Sequence, residues 1–229
     1  MSPASAAKNK PMHIILGGTF DPVHFGHLRM TQEMLNRFPR AKVSLMPAAY
    51  PPHRPEPGAS AQQRIEMLEL VLGKYPQLTI DSRELNRTEP SYSVVTLREI
   101  RQELKDAGKA DTCLVFLMGT DAFAKLNQWY QWQELINLTN ILVVGRPSSE
   151  LPREGEVADF YQKHALNSLE QLPHYSHGRV GFCQMPQLDI SSTYIREQIN
   201  QGFSPRFLLP DGILDYMNQY GLYGLNRKN

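Results

Sequence analysis

Cysteine is scarce in this 229-residue chain: only Cys113 and Cys183 occur, far apart and each inside an apolar run. Two such thiols build no disulfide framework and no cysteine-rich zinc motif, and each reads as a buried free thiol. Charge imbalance is lacking too. With 24 Lys and Arg against 23 Asp and Glu, the net charge is +1, so no overall field draws the chain to nucleic acid or to an anionic membrane. Neither is expected as a partner. Long apolar runs are missing: none approaches the ~18 residues of a membrane span, and the opening MSPASAAKNK has no apolar stretch of a secretory signal. A reducing, cytoplasmic setting is the expectation. No G-x-x-x-x-G-K-[ST], G-x-G-x-x-G or G-x-S-x-G occurs. That argues against a P-loop, a dinucleotide fingerprint and an esterase-type nucleophile, so no covalent intermediate is expected.

What is present is alternation. Apolar runs at Met12–Leu16, Lys42–Met46, Leu78–Asp81, Thr112–Met118, Ile141–Val144 and Val180–Cys183 read as strands, separated by helix-like stretches. Ser60 with Gln63 predicts a capping box for a helix reaching about Gly73. Ser91 or Ser93 is expected to cap a helix whose buried stripe is Val94, Val95, Leu97, Ile100 and Leu104. Ser191 or Ser192 caps another, reaching about Gln201, and a last helix starts near Pro210 or Asp211. The pattern predicts an α/β fold: a Rossmann-like doubly wound parallel sheet with helices on both faces. The expected organisation is a disordered tail at 1–11, then a single domain over 12–225 with a small C-terminal helical part.

Chemistry concentrates where predicted strands end. In Met12–Leu28, MHIILGGTFDPVHFGHL, a strand passes through Gly17 and Gly18 and reaches a helix start carrying His24 and His27. The glycines are read as allowing positive φ and close backbone approach to a ligand. The helix start is read as offering unsatisfied N–H groups to an anion, and the i,i+3 histidines as projecting to one side. A polyphosphate suits this arrangement. A capped turn with two surface histidines, or an i,i+3 metal pair, are the competing readings.

Gly18-Thr19-Phe20-Asp21-Pro22 with His24, Gly26 and His27 resembles the signature of the HxGH nucleotidyltransferase superfamily, and Ile190–Arg196 is similar to its second motif, ISSTxxR. The resemblance implies that His24, His27 and Arg196 are catalytic. It further implies an ATP site made of Gly17, Gly18, Thr19, Phe20, His24, His27, Arg54, Ser191, Ser192 and Arg196. Within the superfamily, the stretch Met12–Tyr223 resembles the bacterial nicotinate-nucleotide adenylyltransferases. That resemblance rests on Pro51-Pro52-His53-Arg54, Pro90-Ser91-Tyr92-Ser93, Gly119-Thr120-Asp121, Trp129-Tyr130 and Gln219–Tyr223. It implies a nicotinate mononucleotide site of Ser93, Asp121, Trp129 and Tyr130, with the ring on Trp129 and its carboxylate on N–H groups.

The implied reaction is in-line adenylyl transfer from ATP, with Mg²⁺ carried by the triphosphate and no metal held by protein ligands. Phosphopantetheine adenylyltransferases and cytidylyltransferases lack the Trp129-Tyr130 and Pro90–Ser93 features. A tRNA-binding synthetase fragment and a non-catalytic nucleotide sensor are the readings from other classes. Monomer and homo-oligomer are equally compatible with the sequence.

Overall fold

The computed structural model describes residues 9–49, 56–87, 90–145, 149–186 and 188–225. Strands β1 (Met12–Gly18), β2 (Lys42–Pro47), β3 (Leu78–Ile80), β4 (Cys113–Gly119), β5 (Asn140–Gly145) and β6 (Val180–Gln184) form one parallel sheet, in the order β3-β2-β1-β4-β5-β6. From β1 the chain winds outward to β3, returns beside β1 as β4 and winds outward again to β6. This is the doubly wound order expected of a Rossmann-like sheet. The helices are α1 (Phe25–Arg37), α2 (Ala61–Leu72), α3 (Ser93–Asp106), α4 (Thr120–Ala124), α5 (Leu135–Leu138), α6 (Glu156–His164), α7 (Ser192–Asn200) and α8 (Asp211–Gln219).

The chain forms two compact units, one of residues through Ile15 with Tyr92–Met185, the other of Leu16–Ser91 with Pro186 onward. In the first unit β4 and β5 are buried along nearly their whole length, which is why they read as unbroken apolar runs rather than alternating ones. Their register pairs Leu117 with Leu142, and Val143 with Phe182 of β6. Gly181 in β6 leaves room for the Leu169 side chain, which a Cβ would approach to 2.6 Å. Cys113 and Cys183 are buried free thiols, as expected, and burial pushes the Cys113 thiol up to about 12. Lys10 and Pro11, assigned to the tail, are already tied in: Lys10 N–H donates to the Pro173 carbonyl and Pro11 accepts from Cys113.

Helix α3 corrects the sequence reading. Neither serine caps it; Tyr92 is the N-cap, with no side-chain cap bond, and Ser93 is the first helical residue. Ser91 instead accepts the Ala49 N–H at 3.2 Å. Thr96 is fully buried, while Val95 and Leu104 are only half-buried, so the buried stripe is Val94, Thr96, Leu97 and Ile100. In the second unit the capping box of α2 is present as predicted, Ser60 and Gln63 each accepting the other's backbone N–H. Ser191 caps α7 by accepting the Tyr194 N–H at 3.1 Å. Here β2 and β3 pair in parallel, Leu45 opposite Ile80, and Tyr216 of α8 donates its hydroxyl to Glu66 of α2.

Candidate active site

Two clusters carry the predicted residues, one in each unit. In the second, β1 runs straight through Gly17 and Gly18, and neither has positive φ. The left-handed residue is Phe20, at φ 51°. Its ring is buried and folds back over Gly18, where a Cβ would stand 3.1 Å from the ring edge. A small residue at 18 is therefore favoured by the close Phe20 ring rather than by a positive φ, which corrects the conformational reason expected from the sequence. The next peptide, Asp21-Pro22, is cis.

His24 is the N-cap of α1, and its Nδ1 accepts the Gly26 N–H at 3.1 Å. That bond leaves the ring proton on Nε2, making His24 a neutral donor. Burial agrees with the neutral form, holding the imidazole down at about 4. The His27 ring stacks on it, with centroids 3.8 Å apart and planes 27° apart, and meets the Phe20 edge at 4.8 Å. Gly26 between them has no room for a side chain: a Cβ would come within 2.9 Å of the His24 ring and 3.2 Å of the Ile190 carbonyl. The HxGH spacing thus brings both histidines together as read from the sequence.

The helix start differs from that reading. Its first N–H groups are partnered: Phe25 donates to Leu208, Gly26 to His24 Nδ1, and His27 and Leu28 to the His24 carbonyl. An anion here meets imidazoles rather than open helix donors. The second motif joins the same turn. Ser192 gives its hydroxyl proton to the Pro22 carbonyl at 2.9 Å, so it can donate to an anion only by releasing Pro22. Arg196 donates through Nη1 to the Asp21 carbonyl at 2.5 Å, and the same atom lies 3.5 Å from the Asp21 carboxylate. Arg64 reaches in from α2, donating to the carbonyls of Thr19 and Ala48 at 2.9 and 2.7 Å. Arg54 lies outside the described residues.

The first unit holds the predicted acceptor residues. Ser93 opens α3, Asp121 is exposed in the first turn of α4, and Trp129 and Tyr130 follow a 3-10 turn at Leu126–Gln128. Trp129 is half-buried, edge-on to Phe116 at 6.3 Å. Tyr130 is exposed and packs against the Tyr92 ring at 4.7 Å, which ties the Pro90–Ser93 and Trp129-Tyr130 signatures together. Trp132 packs instead on Phe160, with ring centroids 5.1 Å apart. Arg98 of α3 holds this segment, donating to Glu134 at 2.7 Å and Gln131 at 2.5 Å. Its guanidinium keeps the Glu134 carboxyl below the usual carboxylate range.

Four residues of these clusters escaped the sequence reading: Asp21, Arg64, Arg98 and Tyr223. Arg64 had a legible signal, a cation on the helix face of Met67 and Leu68. Asp21 stood inside the quoted motif without a role. Among the described residues, no group of three or more His, Cys, Asp or Glu side chains is placed to hold a metal ion.

Comparisons with known proteins follow the same lines. The cytidylyltransferase-like family model matches residues 15–198. A relative from Hahella chejuensis, "Probable nicotinate-nucleotide adenylyltransferase", is 45% identical over 92% of this chain and 95% of its own length. One of the same description from Marinobacter nauticus is 42% identical, over 93% and 97%. Among solved structures, Plasmodium falciparum nicotinic acid mononucleotide adenylyltransferase complexed with NaAD matches with a TM-score of 0.70. At 14% identity over 94% of this chain and 98% of that one, the match speaks for the fold. The chain belongs to the cytidylyltransferase-like family and, within it, to the nicotinate-nucleotide adenylyltransferases.

Proposed function

We propose that this chain transfers the adenylyl group of ATP to nicotinate mononucleotide, releasing pyrophosphate and forming nicotinate adenine dinucleotide in NAD biosynthesis. The observation that carries the reading is the stacked His24–His27 pair beside the turn that Ser192 and Arg196 grip. In this role His24, through Nε2–H, and His27 face the α- to γ-phosphates, and Arg196 with Ser192 faces the β- and γ-phosphates. The backbone of Gly17, Gly18, Thr19 and Phe20 and the Ser191 cap line the nucleotide, and the family resemblance assigns Arg54 to the same phosphates.

Ser93, Asp121, Trp129 and Tyr130 take the acceptor. A flat electron-poor ring stacks on Trp129, which is worth ~1–3 kcal/mol for base–aromatic pairs. Backbone N–H donors at Ser93 and Tyr130 favour a carboxylate over an amide, because charge-assisted hydrogen bonds are the stronger ones. The acceptor phosphate attacks the α-phosphorus in line, and pyrophosphate leaves from the opposite side. The protein aligns the reactants and stabilises charge and supplies no nucleophile.

The Asp21 carboxylate is occupied by the donors Gly58, Ala59 and Tyr223, so a divalent ion fits on the nucleotide rather than on a protein cage. Mg²⁺, a hard ion that prefers oxygen, would neutralise charge there. The setting is the cytoplasm, and 12–225 acts as one catalytic domain. Incubation with ATP, Mg²⁺ and either nicotinate or nicotinamide mononucleotide, with pyrophosphate release as the readout, tests the reading. Release with the acid well above release with the amide is the expected result. Equal rates would overturn the carboxylate assignment, and no release with either would reject the reaction.

A further inference from the structure

Asp21 is almost sealed from solvent, 3% exposed, yet it is a carboxylate. Burying such a group is tolerable only if its oxygens are filled with donors. They are. Oδ1 accepts the Tyr223 hydroxyl at 2.7 Å and the Ala59 N–H at 2.9 Å, and Oδ2 accepts the Gly58 N–H at 2.8 Å. The Arg196 guanidinium stands 3.5 Å from Oδ2 and donates to the same residue's carbonyl.

One residue therefore gathers the approach to α2, the C-terminal turn and the arginine of the second motif. We propose that Asp21 and Tyr223 are positioning residues, which hold Arg196 in the orientation that meets the triphosphate; this rests on the phosphate role given to Arg196 above.

The guanidinium geometry supports this. Both contacts to Asp21 use Nη1, and Nη2 reaches Thr193 Oγ1 at 3.4 Å. Among the described residues the fork is anchored on one side, which leaves Nε–H and a second Nη2 proton for an anion. Its side chain keeps 28% exposure, so the free side is not sealed. Tyr223 is built to donate. Burial and the adjacent Asp21 charge raise its hydroxyl well above the ordinary tyrosine value, so it stays protonated. Its backbone is left-handed, φ 56°, in a turn between Gly221 and Gly224, which are themselves at φ 60° and 93°. The ring lies close against Gly58, where a Cβ would stand 3.0 Å from Cδ1 and Cε1. Such a costly conformation persists only where its surroundings demand it.

The test is a double-mutant cycle on steady-state kinetics, with Tyr223→Phe, Arg196→Ala and the pair. Tyr223→Phe should raise the KM for ATP about tenfold, the worth of one charge-assisted hydrogen bond, and move the KM for nicotinate mononucleotide by less than about twofold. In the Arg196→Ala background the same change should have no further effect on the KM for ATP. A merely structural role would add equally in both backgrounds, and that result, or no effect of Tyr223→Phe alone, overturns the proposal. Gly58→Ala, whose Cβ would press on Cδ1 and Cε1 of the Tyr223 ring, gives an independent second variant with the same expected pattern. If Arg196→Ala itself leaves the ATP kinetics unchanged, the phosphate role of Arg196 fails and the positioning role falls with it, a result distinct from additivity.

Discussion

His24 shows how one contact decides the chemistry of a side chain. An exposed imidazole at a helix start is an ordinary titrating group, but here Nδ1 is spent on Gly26 and the ring is buried. Its folded value of about 4 lies below the ordinary histidine value of 6.5. Above pH 6.5 neither state binds a proton at this position, and between 6.5 and 4 the unfolded chain does while the folded chain does not. Stability therefore falls as the solution is acidified through that window, by on the order of 3 kcal/mol in all. Urea unfolding of wild type and His24→Asn from pH 7 to pH 4 checks this. The variant should lose much less of its stability than wild type over that range, and parallel curves would show that another group is responsible. The i,i+3 spacing told us that the two histidines share a side of the helix. It could not tell which one is buried, because burial is set by how the rest of the chain packs around the helix start, where the Ile190 and Leu208 carbonyls approach Gly26 and Phe25.

At the scale of the element, the segment Gln131–Glu134 is the most informative. It contains a left-handed residue, Gln131 at φ 50°, and is tied to α3 by Arg98. The Arg98–Glu134 pair is partly solvent-exposed, 41% and 38%, so it contributes only ~0–1 kcal/mol to folding. Its worth lies in geometry, since it fixes the turn that follows Trp129 and Tyr130. Arg98→Ala should change the midpoint of denaturant unfolding by under about 1 kcal/mol in stability and raise the KM for nicotinate mononucleotide several-fold. A large stability loss with unchanged KM would reverse that ranking. Helix α3 also shows where local signals mislead. Ser91 and Ser93 were both credible caps, but Ser91 finds a backbone N–H at Ala49, far away in sequence, and the helix starts without a side-chain cap. The capping box of α2 had no such competitor, and it formed as read.

At the scale of the whole molecule, the parallel sheet follows from the alternation of apolar runs and helices, and two motifs whose first histidine and serine, His24 and Ser191, stand 167 positions apart meet in one turn. A nucleotide that binds only the folded chain, at a hundredfold excess over its Kd, adds about 2.7 kcal/mol of stability, or roughly 5–10 °C in Tm for a chain of this size. Scanning calorimetry with a non-hydrolysable ATP analogue and Mg²⁺ should show that shift in wild type and a clearly smaller one in Arg196→Ala. An unchanged Tm in wild type would count against nucleotide binding altogether.

The sequence by itself determined the α/β class, the strand positions, the histidine pair and the family, because each of these rests on short-range spacing: period, caps and motif. Only the tertiary structure decided the roles of Asp21, Arg64, Arg98 and Tyr223, the partners that occupy the first turn of α1, and the reason for Gly18. Those depend on which donors meet which acceptors across long stretches of chain. Asp21 and Tyr223 are the clearest case: a carboxylate and a phenol look ordinary in sequence, and become one hydrogen-bonded unit only when the turn at Gly221–Gly224 folds back onto the loop after β1.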